Sequence, residues 1–369
     1  GRMKLFRRRG RSPFGVDRPP HVATANLEER TQQLGRALLE SMRVHRPSFL
    51  SRRVWADKLM DWAMKDPQFK VQMFRFVDVF PTLQGQDQIH DVLLDDLTQP
   101  GVEVPAGLGL GLKAGGVMKG TLARTISSQI TRMAENFIAG RDATTALPKL
   151  KQLWHEGIGF SVDLLGEACL SDAEANAYRD RYLDLLHVLP AAIMDWPAQP
   201  SIESDYLGPI PRGNISIKIS SLSARIAPED FAGSVDRLAD SLRPILELAA
   251  HEQVLINFDM EQDRLKDLTL ALFCRCCEQV DFPAGLALQA YLRSGPEDAA
   301  RLIDWARERG RQVTVRLIKG AYWDYEIIRA QQMGWPIPVW TRKSDTDACF
   351  EQMTAQFVEA MPRRPDEGG

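Results

Sequence analysis

Ile215-Ser-Ile-Lys-Ile-Ser220 is the stretch on which the fold turns. Side chains alternate across a strand, so Ile215, Ile217 and Ile219 share one face and Ser216, Lys218 and Ser220 the other. Val313-Thr-Val-Arg-Leu317 repeats the pattern, with Thr314 and Arg316 opposite the apolar residues. Strands of a doubly wound sheet are covered on both faces and read as apolar runs. A strand that is greasy on one face and polar on the other suits a barrel. Its greasy face meets the helices, and its polar face points inward toward a mouth at the carboxyl ends of the strands.

Working outward, four more segments read as strands: Phe160–Leu165, Val254–Asp259, Leu286–Tyr291 and Pro338–Thr341. Helices lie between them. Ser171-Asp-Ala-Glu174 has the spacing of a capping box. Pro228 and Pro296 sit where a first helical turn accepts proline, and Gly310 and Gly334 follow helix ends as C-caps do. Strand and helix in series mean parallel strands joined by right-handed crossovers. The expectation is an α/β fold: a (β/α)8-type parallel barrel over residues 157–361, incomplete at about six strands. An all-helical arm and linker region over residues 27–156 precedes it. There Leu34, Leu38 and Leu39, and then Trp55, Leu59 and Trp62, recur at helical spacing. Residues 1–26, basic through Lys4, Arg7, Arg8, Arg9 and Arg11, and residues 362–369 read as disordered tails.

Composition narrows the function. The 369 residues are 44% hydrophobic and 26% charged with a formal charge of -3, which suits a soluble globular protein and offers nothing to nucleic acid. Three of the five cysteines, Cys274, Cys276 and Cys277, crowd one helical segment, unlike a disulfide framework, so a reducing cytoplasm is expected. No apolar run approaches the roughly 20 residues of a membrane span. The histidines lack metal-ligand spacing, so no metal is expected. Neither a Gly-x-Ser-x-Gly elbow nor a phosphate-cradling Gly-x-x-x-x-Gly-Lys loop occurs. Gly109, Gly111 and Ala114 match the letters of a dinucleotide fingerprint. Pro100 and Pro105 stand where its strand belongs, so the stretch reads as a connector.

The polar strand ends converge instead. Lys218, Asp259, Gln289 and Arg316 come late in successive strands, with Lys319 just after. One reading is an internal salt-bridge network, Lys218 to Asp259 with Arg316 as filler. The favoured reading is a site at the mouth, because each group is costly to bury unpaired and all fall at one end. One acid among three cations points to an anionic ligand, a carboxylate or a pyrophosphate.

These residues carry a resemblance. Arg316-Leu-Ile-Lys-Gly-Ala-Tyr-Trp323 resembles the signature of the proline dehydrogenase domain of the bacterial proline utilization A family. Ile215–Ser220, Asn257-Phe-Asp-Met260, Leu288-Gln-Ala-Tyr291 and Val339-Trp-Thr-Arg-Lys343 are similar to that family's other strand-end motifs, in the same order. Asp163-Leu-Leu-Gly-Glu-Ala168 resembles its first barrel strand, and Phe74-Arg-Phe-Val-Asp-Val-Phe-Pro81 its helical region. The resemblance implies non-covalent FAD, oxidation of L-proline to Δ1-pyrroline-5-carboxylate, and electrons passed to a quinone. It implies a cytoplasmic protein, peripheral at the inner membrane face, and a homo-oligomer at full length. Catalytic roles would fall to Lys218 beside the substrate, Asp259 and Arg316 near the flavin, Tyr322, and Glu167 as partner of a gating arginine. Asp259, Met260, Gln289, Arg316, Ile318, Lys319, Gly320, Ala321 and Trp323 would line the cofactor, with Thr341 and Lys343 at its adenosine end. A cation at Arg316 would stabilise an anionic reduced flavin.

The family's last helix carries Tyr-x-Arg-Arg-x-x-Glu, whose arginines grip the proline carboxylate. Nothing here matches it; Arg363-Arg364 is flanked by Pro362 and Pro365, which oppose a helix. The expectation is therefore a C-terminally truncated segment that folds poorly and turns over little proline. Two rival functions are a Schiff-base barrel enzyme of aldolase type using Lys218 or Lys319, and a non-catalytic oligomerisation fragment built on the helical region.

Overall fold

A computed structural model describes residues 25–44, 68, 71–72, 75–76, 79, 83, 85–97, 99–101, 138–166 and 168–364. Trp55, Leu59, Trp62, the glycine-rich connector, Glu167 and the tails before residue 25 and after residue 364 lie outside the described residues. The chain divides into two compact units, Ala25–Ala139 and a larger one from Gly140.

In the first unit the described helices are α1 (Ala25–Val44) and α2 (Gln86–Leu97). Leu34, Leu38 and Leu39 lie on α1 as their spacing predicts, and all three are exposed.

The second unit holds a five-stranded parallel sheet: β1 (Val162–Asp163), β4 (Asn214–Ile217), β5 (Leu255–Phe258), β6 (Ala284–Gln289) and β7 (Thr314–Ile318). A small antiparallel hairpin, β2 (Ser204–Asp205) with β3 (Gly208–Pro209), precedes β4. The strands lie side by side in chain order, each pair parallel. A doubly wound sheet reverses its order at a switch point. This one does not, so the architecture is α/β of the (β/α)8-barrel type, with five strands among the described residues.

The crossovers are helices: α4 (Asp172–Met194) after β1, α6 (Phe231–Glu252) after β4, α7 (Asp263–Gln279) after β5, and α8 (Gly295–Arg309) after β6. α9 (Trp323–Gln332) and α10 (Lys343–Ala360) follow β7, and the single-turn α5 (Pro200–Glu203) leads into the hairpin. α3 (Ala143–His155), which falls within the helical region of the sequence reading, belongs with the sheet. It buries Ala146, Leu150 and Trp154, four residues apart, in the main core. Asp142 caps it, accepting from the Thr145 N–H at 2.8 Å.

The isoleucine face of β4 is buried without exception: Ile215, Ile217 and Ile219 meet no solvent. Ile256, Phe258 and Leu286 continue that face under the helices, where Phe258 meets the Phe273 ring edge-on at 5.4 Å between centroids. Each such side chain contributes about 1.5–3 kcal/mol by leaving water.

Two local expectations change. Pro338–Thr341 forms no strand: Val339 makes an isolated antiparallel bridge to Leu292, held by Arg293 N–H to Pro338 O and Trp340 N–H to Tyr291 O. Pro336 and Pro338 have no N–H to donate, so a ladder cannot continue there. At α4 only half the capping box forms. Ser171 accepts from the Glu174 N–H at 3.2 Å, while the Glu174 carboxylate takes the Leu170 N–H instead. All five cysteines are free and buried, and among the described residues no helix is long and apolar enough to cross a membrane.

Candidate functional site

Four strands deliver charge to one place. Lys218 is the first residue past β4, and Asp259 the first past β5. Ile217 and Phe258 are register partners, and the Asp259 N–H donates to Ile217 O at 2.8 Å, so the two charged residues leave the sheet side by side. Lys218 Nζ lies 2.5 Å from Asp163 Oδ2 on β1 and 3.7 Å from Asp259 Oδ2. Arg316 reaches from β7 across β6: its guanidinium donates to the Asp259 carboxylate and, at 3.2 Å, to Ser216 Oγ on β4. The path is open because the inner face of β6 is Gly285 and Ala287, with Ala287 directly opposite Arg316. Asn257 adds its amide to Asp259 at 3.0 Å, and Ser161 Oγ bridges to Ser216 Oγ at 3.2 Å.

The four charges alternate, Asp163, Lys218, Asp259, Arg316. The sequence had suggested one acid among three cations. Asp163 restores balance, and Lys319 belongs elsewhere: its Nζ pairs with the Asp347 carboxylate on α10. Lys343 also binds Asp347, at 2.7 Å. This pairing holds the Asp347 carboxyl below its ordinary value and raises Lys343. Burial pushes the Asp259 carboxyl above its ordinary value, against the pull of Arg316 and Lys218.

Gln289, the last residue of β6, is buried, and its Nε2 donates to the carbonyls of Met260 at 3.3 Å and Glu261 at 3.2 Å. Both acceptors are carbonyls, so the nitrogen must face them and the oxygen points elsewhere. Among the described residues that oxygen has no hydrogen-bond partner. Met260 is buried beside Asp259.

Past β7 the chain turns through Gly320 at φ 121°, where an added Cβ would stand 2.5 Å from the Tyr291 ring. Only glycine allows this approach. Ile318 ends β7 and accepts the Ala290 N–H. Ala321 is exposed, and half-buried Tyr322 is the N-cap of α9. Trp323 opens α9, its indole N–H donating to Trp340 O at 2.8 Å. Thr341 is exposed just before Lys343. The arginines Arg363 and Arg364 lie past the end of α10 and are exposed.

The structure thus brings together Lys218, Asp259 and Arg316, places Gln289 and Met260 beside them, and gathers Lys319 and Lys343 around a separate carboxylate. Asp163, Ser216 and Glu261 are not among the site residues expected from the sequence. Val162-Asp163 makes the same apolar-to-acid step as Phe258-Asp259 and so was legible. Ser216 lies inward by strand alternation. Glu261 follows a strand end, where an acid reads as solvated, and it gave no signal.

A model of the proline dehydrogenase family matches residues 146–364, and one of the proline utilization A N-terminal domain matches residues 28–137. The bifunctional protein PutA of Escherichia coli (strain K12) is 33% identical over 232 residues, 60% of this chain and 17% of its own length. Proline dehydrogenase 1 of Bacillus subtilis (strain 168) is 26% identical over 203 residues, 55% of this chain and 57% of its own. Among solved structures, proline utilization A from Bdellovibrio bacteriovorus inactivated by N-propargylglycine superposes with a TM-score of 0.79 at 34% identity. That match covers 90% of this chain and 33% of the other. The match thus spans about a sixth of the length of the Escherichia coli relative and a third of the Bdellovibrio one.

Proposed function

Since the chain belongs to the proline dehydrogenase family, in its proline utilization A branch, we propose that it carries the flavin-holding face of an enzyme oxidising L-proline to Δ1-pyrroline-5-carboxylate. The observation that carries this reading is the convergence of Lys218, Asp259 and Arg316 at the carboxyl end of parallel strands.

The residues present fit FAD. A buried, unpartnered Gln289 Oε1 suits a ring N–H donor. The turn at Gly320, flat against Tyr291, leaves backbone where side chains would otherwise stand. Lys319, Lys343 and Thr341 suit the phosphate and adenosine end, and Met260, Ile318, Ala321 and Trp323 the ring and its surroundings. Bound there, FAD supplies the hydride acceptor. Arg316, held by Asp259 and Ser216, supplies fixed positive charge where negative charge develops, at no reorganisation cost. Lys218, held by Asp163, places a second cation at the mouth, suited to a substrate carboxylate. Tyr322 and Glu167 complete the proposed catalytic set. A quinone would be the final electron acceptor, and the protein would be cytoplasmic, peripheral at the membrane and oligomeric at full length. The Schiff-base alternative loses ground because Lys218 and Lys319 each have Nζ engaged by a carboxylate.

Turnover by this chain alone is proposed to be slow. β7 pairs only with β6 among the described residues, and Arg363 and Arg364 sit on no helix that aims them at the mouth. The test is titration of the purified chain with FAD, followed by anaerobic addition of excess L-proline. Quenching of flavin fluorescence and slow bleaching of its long-wavelength band support the reading. Absence of flavin binding, or borohydride trapping of a carbonyl adduct on Lys218 or Lys319, overturns it.

A further inference from the structure

Just past the charged cluster sits a buried acid, Glu261, to which the proposed chemistry gives no role. The last backbone bond between β4 and β5 is Asp259 N–H to Ile217 O. Beyond it the two chains leave the sheet, one as the tight turn Ile219–Ser221 and the other toward α7. Backbone pairing ends there, yet the two segments stay joined. The Glu261 carboxylate accepts the Ser220 N–H at 3.1 Å and also the Ser220 hydroxyl. A side chain thereby continues the ladder three residues past the strands. On its other side the Glu261 carbonyl, with that of Met260, anchors the amide of Gln289 from β6. Ser220, Glu261 and Gln289 are 7%, 3% and 2% exposed, so water cannot substitute for any of these bonds.

We propose that Glu261 is a positioning residue. It pins the turn that carries Lys218 to the turn that carries Asp259, and it fixes the backbone on which the Gln289 amide rests. Two consequences follow. Lys218 stays 3.7 Å from Asp259, which leaves that carboxylate to Arg316. Gln289 can satisfy its NH2 only on the anchored carbonyls, so its oxygen is the end left free for a donor. Loss of the clamp lets both turns drift, and a displacement near 1 Å in such a site costs on the order of a hundredfold in function.

The inference rests on the flavin reading above, and the experiment separates the two. FAD affinity, the position and fine structure of the flavin absorption band, and thermal midpoint are measured for the full chain and for Glu261→Gln and Ser220→Ala. Amide hydrogen exchange across residues 218–222 is followed without FAD. Glu261→Gln keeps the volume but not both acceptors; Ser220→Ala keeps the N–H bond and removes only the hydroxyl. The expected result is roughly tenfold weaker FAD binding for Glu261→Gln, a shifted band, and faster exchange at Ser220. Ser220→Ala moves the same way by less, and the double variant is no worse than Glu261→Gln. Should Glu261→Gln fail to fold, Ser220→Ala alone decides. A lowered thermal midpoint with unchanged FAD affinity and spectrum overturns the positioning role while the flavin reading stands. A parent chain that takes up no FAD overturns both.

Discussion

Lys218 Nζ sits 2.5 Å from the Asp163 carboxylate, a side-chain pair that joins two neighbouring strands just past their backbone pairing. The backbone pairing of β1 with β4 covers only two residue pairs, ending at Asp163 and Ser216. Beyond it, the ion pair and the Cys169 N–H bond to Ser220 O at 3.0 Å tie the segment after the first strand to the turn after β4. The pair also decides which acid Lys218 serves, because Asp259, farther away, is taken by Arg316.

Replacing Asp163 with Asn should therefore redirect Lys218 toward Asp259 and loosen Arg316. The expected outcome is FAD affinity lower by about tenfold, with a thermal midpoint little changed, since exposed pairs contribute about 0–1 kcal/mol. Fluorescence titration beside differential scanning fluorimetry checks both halves. Asp163→Glu should recover part of the affinity.

Asp259 sets an acid limit. Burial raises its carboxyl above the ordinary value of 3.8, so on acidification it takes up its proton earlier than a free aspartate. Ionised, it anchors Arg316; protonated, it does not. Flavin binding should fall as pH drops through a midpoint above 3.8, and that limb should vanish in Asp259→Asn. A binding curve against pH for parent and variant measures it. A parent limb at or below the ordinary value would count against this assignment.

Asp347 behaves in the opposite sense. Lys319 and Lys343 depress its carboxyl, so its contribution to stability is fully present above the unfolded value of 3.8 and is lost as pH falls through the lower folded value. In acid unfolding followed by circular dichroism, Asp347→Asn should flatten the decline between 3.8 and that lower value.

Gly320 tests the turn after β7. Gly320→Ala adds a Cβ into the Tyr291 ring at a φ of 121°. The backbone strain alone costs about 1–3 kcal/mol. Tyr291 is itself a buried core residue, so the clash is read from a double-mutant cycle: Gly320→Ala/Tyr291→Ala should lower the urea midpoint by less than the two single changes summed, because the Cβ then meets no ring.

A buried pair away from the mouth bears on stability alone. Lys266 Nζ on α7 lies 2.6 Å from Asp298 on α8, with side chains 5% and 2% exposed. Asp298→Ala leaves the lysine with Asp267 at 2.9 Å as its remaining acid. The loss should be on the order of 3 kcal/mol, and Lys266→Met/Asp298→Leu should recover most of it in urea titrations.

The sequence by itself determined the class of fold, because two strands alternate greasy and polar residues and a repeated strand–helix rhythm permits only parallel strands with crossovers. It also put Lys218, Asp259, Gln289 and Arg316 at strand ends, since position along a strand is local information. Tertiary structure alone decided who meets whom. Arg316 finds Asp259 only because Gly285 and Ala287 clear the strand between them, Lys319 turns to Asp347 on a distant helix, and Glu261 folds inward to hold Ser220. Pro338–Thr341 likewise looked like a strand locally and was denied a ladder by its prolines. Such pairings depend on strand register and on helix placement, which are global properties of the packed chain. A spacing rule reads a residue's own segment and says nothing of the side chain that will face it.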